Sequence, residues 1–175
     1  MPVRTPDNRI CHLFVYGSLM SQIQTPMGTH QRMRLAGESR SLGPASASGR
    51  LVSLGQYPGL IDGASNADIV QGELLLLHNP QTTLLWLDRY ENVQHGGDGE
   101  YRRELKTVEL NLTKVPKFAE RSADAKQQEP VASDGTNSGL RETTPPNRTY
   151  KAWIYIYQGP MTSARPVPSG NWLTR

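Results

Sequence analysis

A glutamate at the end of an apolar helical stripe is the residue best suited to chemistry in this sequence. Asn79-Pro80 predicts the start of a helix that runs to about Tyr90 or Glu91, because Asn caps helices and Pro suits their first position. Within this helix, Leu84, Leu87 and Glu91 fall at i, i+3 and i+7 and share one face. Burial disfavours a charged carboxylate and raises its pKa towards neutrality. Glu91 is therefore predicted to accept and return a proton near physiological pH.

Spacing alone leaves two alternatives to a catalytic Glu91 open. The helix could fray at this point, and the carboxylate of Glu91 would then reach water and keep an ordinary pKa. Asp88 borders the same face and is a rival acid. The simpler interpretation of Asp88 is an ion pair with Arg102 or Arg103, which follow in the next predicted strand.

The elements that must position these residues are mostly strands. Runs of apolar or alternating residues bounded by Gly, Pro and Asn predict five of them. They cover Cys11–Tyr16, Arg40–Leu54 as a bent or interrupted strand, Ile69–Leu77, Tyr101–Leu112 and Tyr150–Tyr157. Gly72 predicts a bulge or a close backbone approach. The change of apolar phase between Leu105 and Val108 predicts a bulge or a twist.

Two further elements and a core complete the predicted domain. Thr25-Pro26 predicts a short helix that runs through Met33 and Leu35, because Pro suits the first helical position. Tyr57–Leu60 predicts a turn, with Pro and Gly at its centre. The predicted core draws on the strands and on the helix that starts at Pro80. Its members are Leu13, Val15, Leu74, Leu76, Leu84, Leu87, Ile154 and Ile156.

One segment differs in composition from the rest of the chain. Residues 114–148 are rich in charged and small polar residues, Gly and Pro, and contain few large apolar residues. Such a segment buries too little surface to offset its ordering entropy, so we expect a flexible insertion. The predicted organisation is a single domain over residues 1–175 with this insertion inside it.

Composition excludes several classes of function. The 19 basic and 16 acidic residues form no basic stripe, so no nucleic-acid partner is expected. No apolar run is long enough to span a membrane, and residues 1–10 lack the apolar core of a signal peptide. Cys11 is the only cysteine, which favours a reducing compartment, and we expect a soluble cytoplasmic protein. His12, His30, His78 and His95 are too scattered to predict a metal site.

Four separated pieces of the sequence carry a family resemblance. They are Phe14-Val-Tyr-Gly-Ser-Leu19, Val70-Gln-Gly-Glu-Leu74, Leu87-Asp-Arg-Tyr-Glu91 with Tyr101-Arg102-Arg103, and Ala152-Trp-Ile-Tyr-Ile-Tyr157 with Ser169-Gly-Asn-Trp172. In order and spacing they resemble the FVYGTL loop, the V-x-G-E-L strand, the LDxYE…YxR signature and the closing strand and tail of γ-glutamylcyclotransferase-like proteins. The avirulence-induced-gene-like and γ-glutamylamine cyclotransferase branch is the most similar. The resemblance covers about residues 11–112 and 149–172.

The resemblance implies a fold and a reaction. The fold would be α+β, a small mixed β-barrel flanked by short helices. The reaction would be intramolecular: the α-amine of a small γ-glutamyl substrate attacks the γ-carbonyl, closes 5-oxoproline and expels an amine or peptide. Because both reacting groups belong to one molecule, no cofactor is expected. The expected partner is that small molecule alone, bound by a monomer or weak homodimer.

The resemblance also assigns roles to residues of this chain. Glu91 takes the position of the family's catalytic glutamate, which moves a proton from the attacking amine to the leaving nitrogen. The loop after the first strand would bind the α-carboxylate or the developing oxyanion through its backbone N–H groups. The substrate-binding residues implied are Tyr16, Gly17, Ser18, Leu19, Tyr101 and Tyr157.

Plainer explanations exist for each of these residues. Tyr16 and Tyr101 could be ordinary strand aromatics, and Gly17 a turn glycine. Two other functions also stay open: a non-catalytic module that binds a small ligand in the same pocket, and an amidohydrolase in which Glu91 activates water. The reaction products distinguish these three functions. A cyclotransferase releases 5-oxoproline, an amidohydrolase releases free glutamate, and a binding module releases no product.

Overall fold

Five strands close into a barrel around an apolar interior. The computed structural model describes residues 10–63, 68–94, 96–112 and 148–175. In chain order the elements are β1 (His12–Val15), α1 (Thr29–Glu38), β2 (Ser39–Ser48), β3 (Arg50–Ser53), β4 (Pro58–Ile61), β5 (Ile69–Leu77), α2 (Pro80–Tyr90), β6 (Tyr101–Leu110), β7 (Arg148–Tyr157), β8 (Arg165–Pro166) and a closing 3-10 helix (Trp172–Thr174).

The barrel is mixed in strand direction. Its order is β1-β5-β2-β6-β7, and β1 closes it by pairing with β7. The β1–β7 pair is parallel, whereas the other neighbouring pairs are antiparallel. Strands β4, β3 and β8 form a second, small sheet. The predicted α+β fold, a small mixed β-barrel with short helices, is confirmed.

The core lies inside the barrel and under α2. Most of the predicted core residues are buried, namely Leu13, Val15, Leu74, Leu84, Leu87, Ile154 and Ile156. The prediction was wrong for Leu76, which is only half-buried. It lies between His12 of β1 and Arg40 of β2, polar residues that leave this part of the barrel wall open to solvent.

The first helix begins later than the sequence predicted. Helix α1 starts at Thr29 rather than at Thr25-Pro26, and it ends at Glu38. The hydroxyl of Thr29 donates to the carbonyls of Thr25 and Pro26, which holds these residues in a turn that competes with helix. The one buried residue of α1 is Leu35, whereas Met33 is exposed.

The predicted turn at Tyr57–Leu60 was also misplaced. Residues Pro58–Ile61 form β4, which pairs with β3. The turn lies just before it, where the N–H of Leu54 donates to the carbonyl of Tyr57 at 2.9 Å. The predicted strand Arg40–Leu54 is interrupted, as expected, and forms β2 and β3.

Irregular strand geometry was predicted at two places, and the structure shows a close backbone approach at the first of them, Gly72. A Cβ at Gly72 would lie 2.3 Å from the carbonyl oxygen of Val15, so the predicted close backbone approach is confirmed. The register between β6 and β7 is continuous, so no bulge lies between Leu105 and Val108. The bulge of the barrel is in β2, where the register with β5 shifts at Gly43.

The predicted insertion at residues 114–148 lies outside the described residues except for Arg148, which begins β7. In the described part of the chain, no helix has both the length and the apolar composition needed to cross a membrane.

Candidate active site

The first wall of the site is the end of β1. The ring of Tyr16 is buried, and its hydroxyl donates to the carbonyl of Tyr155 at 2.6 Å and accepts from the N–H of Leu60 at 3.1 Å. Burial raises the pKa of Tyr16 well above its usual range, and the charge of Glu91 adds to the increase. Tyr16 is therefore a fixed, neutral wall residue that joins β1 to β7 and β4.

The loop after β1 contributes backbone donors. Gly17, Ser18 and Leu19 all line the same cavity, and their N–H groups have no hydrogen-bond partner among the described residues. The N–H of Met20 donates to the carbonyl of Gly17 at 3.0 Å, which closes the turn. Only glycine fits at position 17, because a Cβ there would lie 2.4 Å from Cγ of Pro58. The loop thus places three successive backbone N–H groups without a described partner at the cavity wall, and such groups can bind an anion.

Helix α2 carries Glu91 to the cavity. The side chain of Asn79 accepts from the N–H of Thr82, and Pro80 occupies the first turn, as predicted. Leu87 is fully buried and Leu84 nearly so, which fixes the helix against the core. Glu91 caps the C-terminus, and its N–H donates to the carbonyl of Leu87 at 2.8 Å. The predicted shared face therefore exists and ends in a carboxylate.

The cavity between these elements has a volume of about 380 Å³. Its walls come from the β1 end and loop, from the segment before α1, from β4, from the end of α2 and from β6 and β7. The lining residues are Phe14, Val15, Tyr16, Gly17, Ser18, Leu19, Met27, Gly28, Tyr57, Pro58, Tyr90, Glu91, Glu100, Tyr101 and Tyr155. None of these lining residues is a Lys, Arg or His.

Glu91 is the group in this cavity most suited to proton transfer. Burial raises the pKa of Glu91 to about 8, with a further contribution from the charge of Glu100. No described residue donates a hydrogen bond to the Glu91 carboxylate. In the described part of the chain every fully buried side-chain oxygen has a partner, so the Glu91 carboxylate is not fully buried, and Glu91 lines the cavity. Glu91 is half-buried at the C-cap of α2 and lines the cavity, which favours the interpretation as a cavity residue over a frayed helix end in water.

Asp88, the rival acid, is occupied by other contacts. Both of its carboxylate oxygens accept from Arg103 at 2.9 Å, and one also accepts from the hydroxyl of Tyr155 at 2.8 Å. The predicted ion pair is therefore formed with Arg103. Arg102 instead contacts Asp62 and Glu104.

The two other predicted pocket tyrosines are in different positions. Tyr101 lines the cavity, and its hydroxyl donates to the carbonyl of Pro58 at 2.7 Å. Burial raises the pKa of Tyr101 above its usual range, so it stays neutral. Tyr157 is not among the lining residues. Its ring contacts Tyr101 edge-on at 5.4 Å, and its hydroxyl donates to the carbonyl of Pro160.

The site contains a second carboxylate that the sequence pattern did not predict. Glu100 lines the cavity and accepts from the hydroxyl of Tyr57 at 2.8 Å. This bond, together with burial, raises the pKa of Tyr57 to about 12. Glu100 ends a loop without periodicity, so only its position next to Tyr101 could have drawn attention to it. Tyr90 and Tyr155 also line the cavity.

The described residues hold no cluster of three or more His, Cys, Asp or Glu that could bind a metal ion. What the cavity combines is one carboxylate without a described hydrogen-bond donor, a loop with unpartnered backbone N–H groups, and aromatic walls. This combination suits proton transfer on a small molecule that carries an anionic group.

Comparisons with known proteins place the chain in a structural context. A family model described as gamma-glutamyl cyclotransferase, AIG2-like, matches residues 13–174. No match is found among curated proteins. Among solved structures, YkqA from Bacillus subtilis has a TM-score of 0.54 at 16% identity over 93% of this chain and 39% of that chain. This chain thus spans about two fifths of the length of the Bacillus protein.

Two other solved structures are similar in size to this chain. An AIG2-like protein from Mus musculus has a TM-score of 0.50 at 19% identity, over 84% of this chain and 76% of that chain. YtfP from Escherichia coli has a TM-score of 0.48 at 25% identity, over 93% of this chain and 96% of that chain. The Bacillus and mouse structures show that the fold is shared.

Proposed function

Because the chain belongs to the AIG2-like gamma-glutamyl cyclotransferase family, we propose that it releases 5-oxoproline and an amine from a small γ-glutamyl amine. The observation that carries the proposal is the carboxylate of Glu91, which is open to the cavity, has no hydrogen-bond partner among the described residues, and has a pKa raised to about 8. A group with such a pKa exchanges protons efficiently near neutral pH.

The proposed reaction needs one base that also acts as an acid. Glu91 takes a proton from the substrate's α-amine, whose nitrogen then forms a bond to the γ-carbon. The bond between the γ-carbon and the leaving nitrogen breaks, and Glu91 returns the proton to that nitrogen. Since amine and carbonyl are in one molecule, holding the folded conformer supplies much of the rate acceleration.

The backbone of the loop would supply the other half of the mechanism. The N–H groups of Gly17, Ser18 and Leu19 are suited to bind the α-carboxylate or the oxygen that becomes negative as the lactam closes. Such donors need no reorganisation when the charge develops, because the fold already holds them. Tyr16 and Tyr101 shape the walls and keep their hydroxyls on backbone carbonyls.

The charge of the cavity supports an amine as the leaving group. Glu91 and Glu100 both line it, and the described lining contains no Lys, Arg or His. A leaving group with its own carboxylate, as in a γ-glutamyl peptide, would meet like charge without a compensating cation. A neutral or cationic amine would not, and we therefore favour γ-glutamyl amines as substrates.

Product analysis tests the proposal. The protein is incubated with γ-glutamyl amines, γ-glutamyl dipeptides and glutathione, and 5-oxoproline and glutamate are quantified. We expect 5-oxoproline with an equal amount of free amine, and faster release from the amines than from the peptides. Free glutamate would instead show an amidohydrolase, and no turnover of any compound would favour a non-catalytic binding module.

A further inference from the structure

A buried carboxylate lies directly behind the loop that lines the cavity. Glu73 of β5 is 8% exposed and pairs in register with Val15, the last residue of β1 before the loop begins. None of the described basic residues forms an ion pair with it. Burying a carboxylate without a cation is costly unless hydrogen bonds compensate for the lost water.

The compensating bonds of Glu73 reach the far end of the loop. Oε2 accepts from the backbone N–H of Ser21 at 2.8 Å, and Oε1 accepts from the hydroxyl of Ser21 at 3.0 Å. Oε1 also accepts from the hydroxyl of Ser41 on β2 at 2.6 Å. Hydrogen bonds to a charged acceptor are stronger and more directional than neutral ones. Glu73 therefore fixes Ser21 against the barrel wall.

A second anchor holds the near end of the same loop. Arg32 of α1 donates to the carbonyl of Ser18 at 2.8 Å, and the same guanidinium donates to the carbonyls of Met27 and Thr25 at 2.6 Å each. The carbonyl of Ser18 is thereby held on the α1 side. The N–H of Leu19 lies between the two anchors, and those of Gly17 and Ser18 come directly before the one at Ser18. All three residues line the cavity, and none of the three N–H groups has a partner among the described residues.

We propose that Glu73 is a positioning residue, which acts with Arg32 to hold these three N–H groups open to the cavity before substrate arrives. What the loop binds rests on the proposed function: the α-carboxylate or the developing oxyanion of a γ-glutamyl compound. The anchors remove the cost of ordering the loop on binding, and their loss would let the free N–H groups turn to water or to one another.

The test compares two variants that touch the same carboxylate. Glu73→Gln keeps the size but removes the charge that Ser21 and Ser41 share. Ser41→Ala removes a bond to Glu73, and no hydrogen bond between Ser41 and the loop is found among the described residues. We expect Glu73→Gln to lower kcat/KM for 5-oxoproline release by about ten- to a hundredfold. Ser41→Ala should stay within about twofold of the unmodified protein. The midpoint of the pH–rate profile should not move in either variant, because Glu91 is untouched.

Two further measurements keep the outcome decisive. Arg32→Met removes the other anchor and should lower kcat/KM for 5-oxoproline release in the same way. It therefore tests the proposal even if Glu73→Gln folds poorly. Amide hydrogen exchange of residues 17–21, measured without any ligand, should be faster in Glu73→Gln than in Ser41→Ala. That comparison tests the anchor even if the unmodified protein releases no 5-oxoproline, a result that would reject the proposed function alone. Unchanged exchange, or equal losses of kcat/KM in Glu73→Gln and Ser41→Ala, would overturn the positioning role.

Discussion

Asp88 and Glu91 lie three residues apart at the end of one helix, and among the described residues only Asp88 is held by other side chains. Arg103 and Tyr155 both donate to Asp88, whereas the carboxylate of Glu91 has no donor among the described residues and opens on the cavity. Helix α2 thus separates two acids by function: one fixes the helix to β6 and β7, and the other is left available to a ligand.

Removal of the second carboxylate of the cavity should change the pH dependence. Burial is the largest cause of the raised pKa of Glu91, and the negative charge of Glu100 adds to it. Glu100→Gln removes that charge, so the pKa of Glu91 should fall by about half a unit to one unit. If Glu91 acts as the base, the acidic limb of the kcat/KM profile should move to lower pH.

Tyr57→Phe is the matched control for this shift. It removes the hydrogen bond to Glu100 but leaves the carboxylate charged, so the acidic limb should stay close to its original position. The measurement is the rate of 5-oxoproline release from pH 5 to 10 for the three proteins. An acidic limb that stays in place or moves to higher pH in Glu100→Gln would contradict the electrostatic coupling.

The loop should not tolerate a methyl group at its first residue. In Gly17→Ala the new Cβ would lie 2.4 Å from Cγ of Pro58, so the loop or β4 must shift. Because the free N–H groups would move with the loop, kcat/KM should fall by about tenfold to a thousandfold. Gly37→Ala adds the same methyl group on α1, where nothing lies within 4 Å, and it should leave turnover intact. Equal activity in both variants would show that the loop geometry does not matter.

The contact between the two helices should stabilise the fold in a defined pH range. Burial alone would raise the pKa of Glu38, but hydrogen bonds from Arg34, Thr83 and Trp86 outweigh it and lower the pKa to about 2. Stabilisation by a carboxylate with a lowered pKa is complete above its unfolded value, near 4.5, and is lost as the pH falls towards 2.

Glu38→Gln measures that contribution. The side chain of Glu38 is 30% exposed, so solvent screening should limit the loss at pH 7 to about 1–2 kcal/mol. The difference between the variant and the unmodified protein should shrink steadily below pH 4.5 in chemical unfolding experiments. A difference of constant size from pH 7 down to pH 3 would show that the ionised form of Glu38 is not what links α1 to α2.

The sequence could predict those parts of the site that depend on regular spacing. Leu84, Leu87 and Glu91 share a face because a helix repeats every 3.6 residues, and the Asn79-Pro80 start is local. The same holds for β7, where Ile154 and Ile156 enter the core while Tyr155 faces α2.

The rest of the site depends on contacts between residues far apart in the chain, which the spacing of residue types does not predict. Glu100 reaches the cavity through a bond to Tyr57, 43 residues earlier in the chain. The anchor of Glu73 to Ser21 joins residues 52 positions apart. The predicted start of α1 was wrong for a local reason. The hydroxyl of Thr29 donates to the carbonyls of Thr25 and Pro26, and this turn replaces the first helical turn that was predicted there.

The acid–base role of Glu91 makes the most direct prediction about turnover. Glu91→Gln keeps the size of the side chain but removes proton exchange at neutral pH. We expect turnover to fall by about a hundredfold to ten-thousandfold, while substrate affinity changes less because the loop and Tyr101 are intact. Asp88→Asn is the comparison. It weakens the contacts to Arg103 and Tyr155, so it should lower stability by about 1–3 kcal/mol but keep most of the activity below its unfolding temperature.

Stability provides an independent check on the environment of Glu91. Its pKa is about 8 in the folded protein against 4.5 for the exposed group, so the folded state binds the proton more tightly. The unmodified protein should therefore lose stability as the pH rises from 4.5 through 8, whereas Glu91→Gln, which has no proton to lose, should not. In thermal unfolding, the free energy of unfolding of Glu91→Gln relative to the unmodified protein should be higher at pH 9 than at pH 5, by up to a few kcal/mol. Full turnover in Glu91→Gln would reject the mechanism, and loss of turnover only in folded Asp88→Asn would move the proton-transfer role to Asp88. A pH-independent difference in stability would show that Glu91 is ionised freely in water rather than held in the cavity.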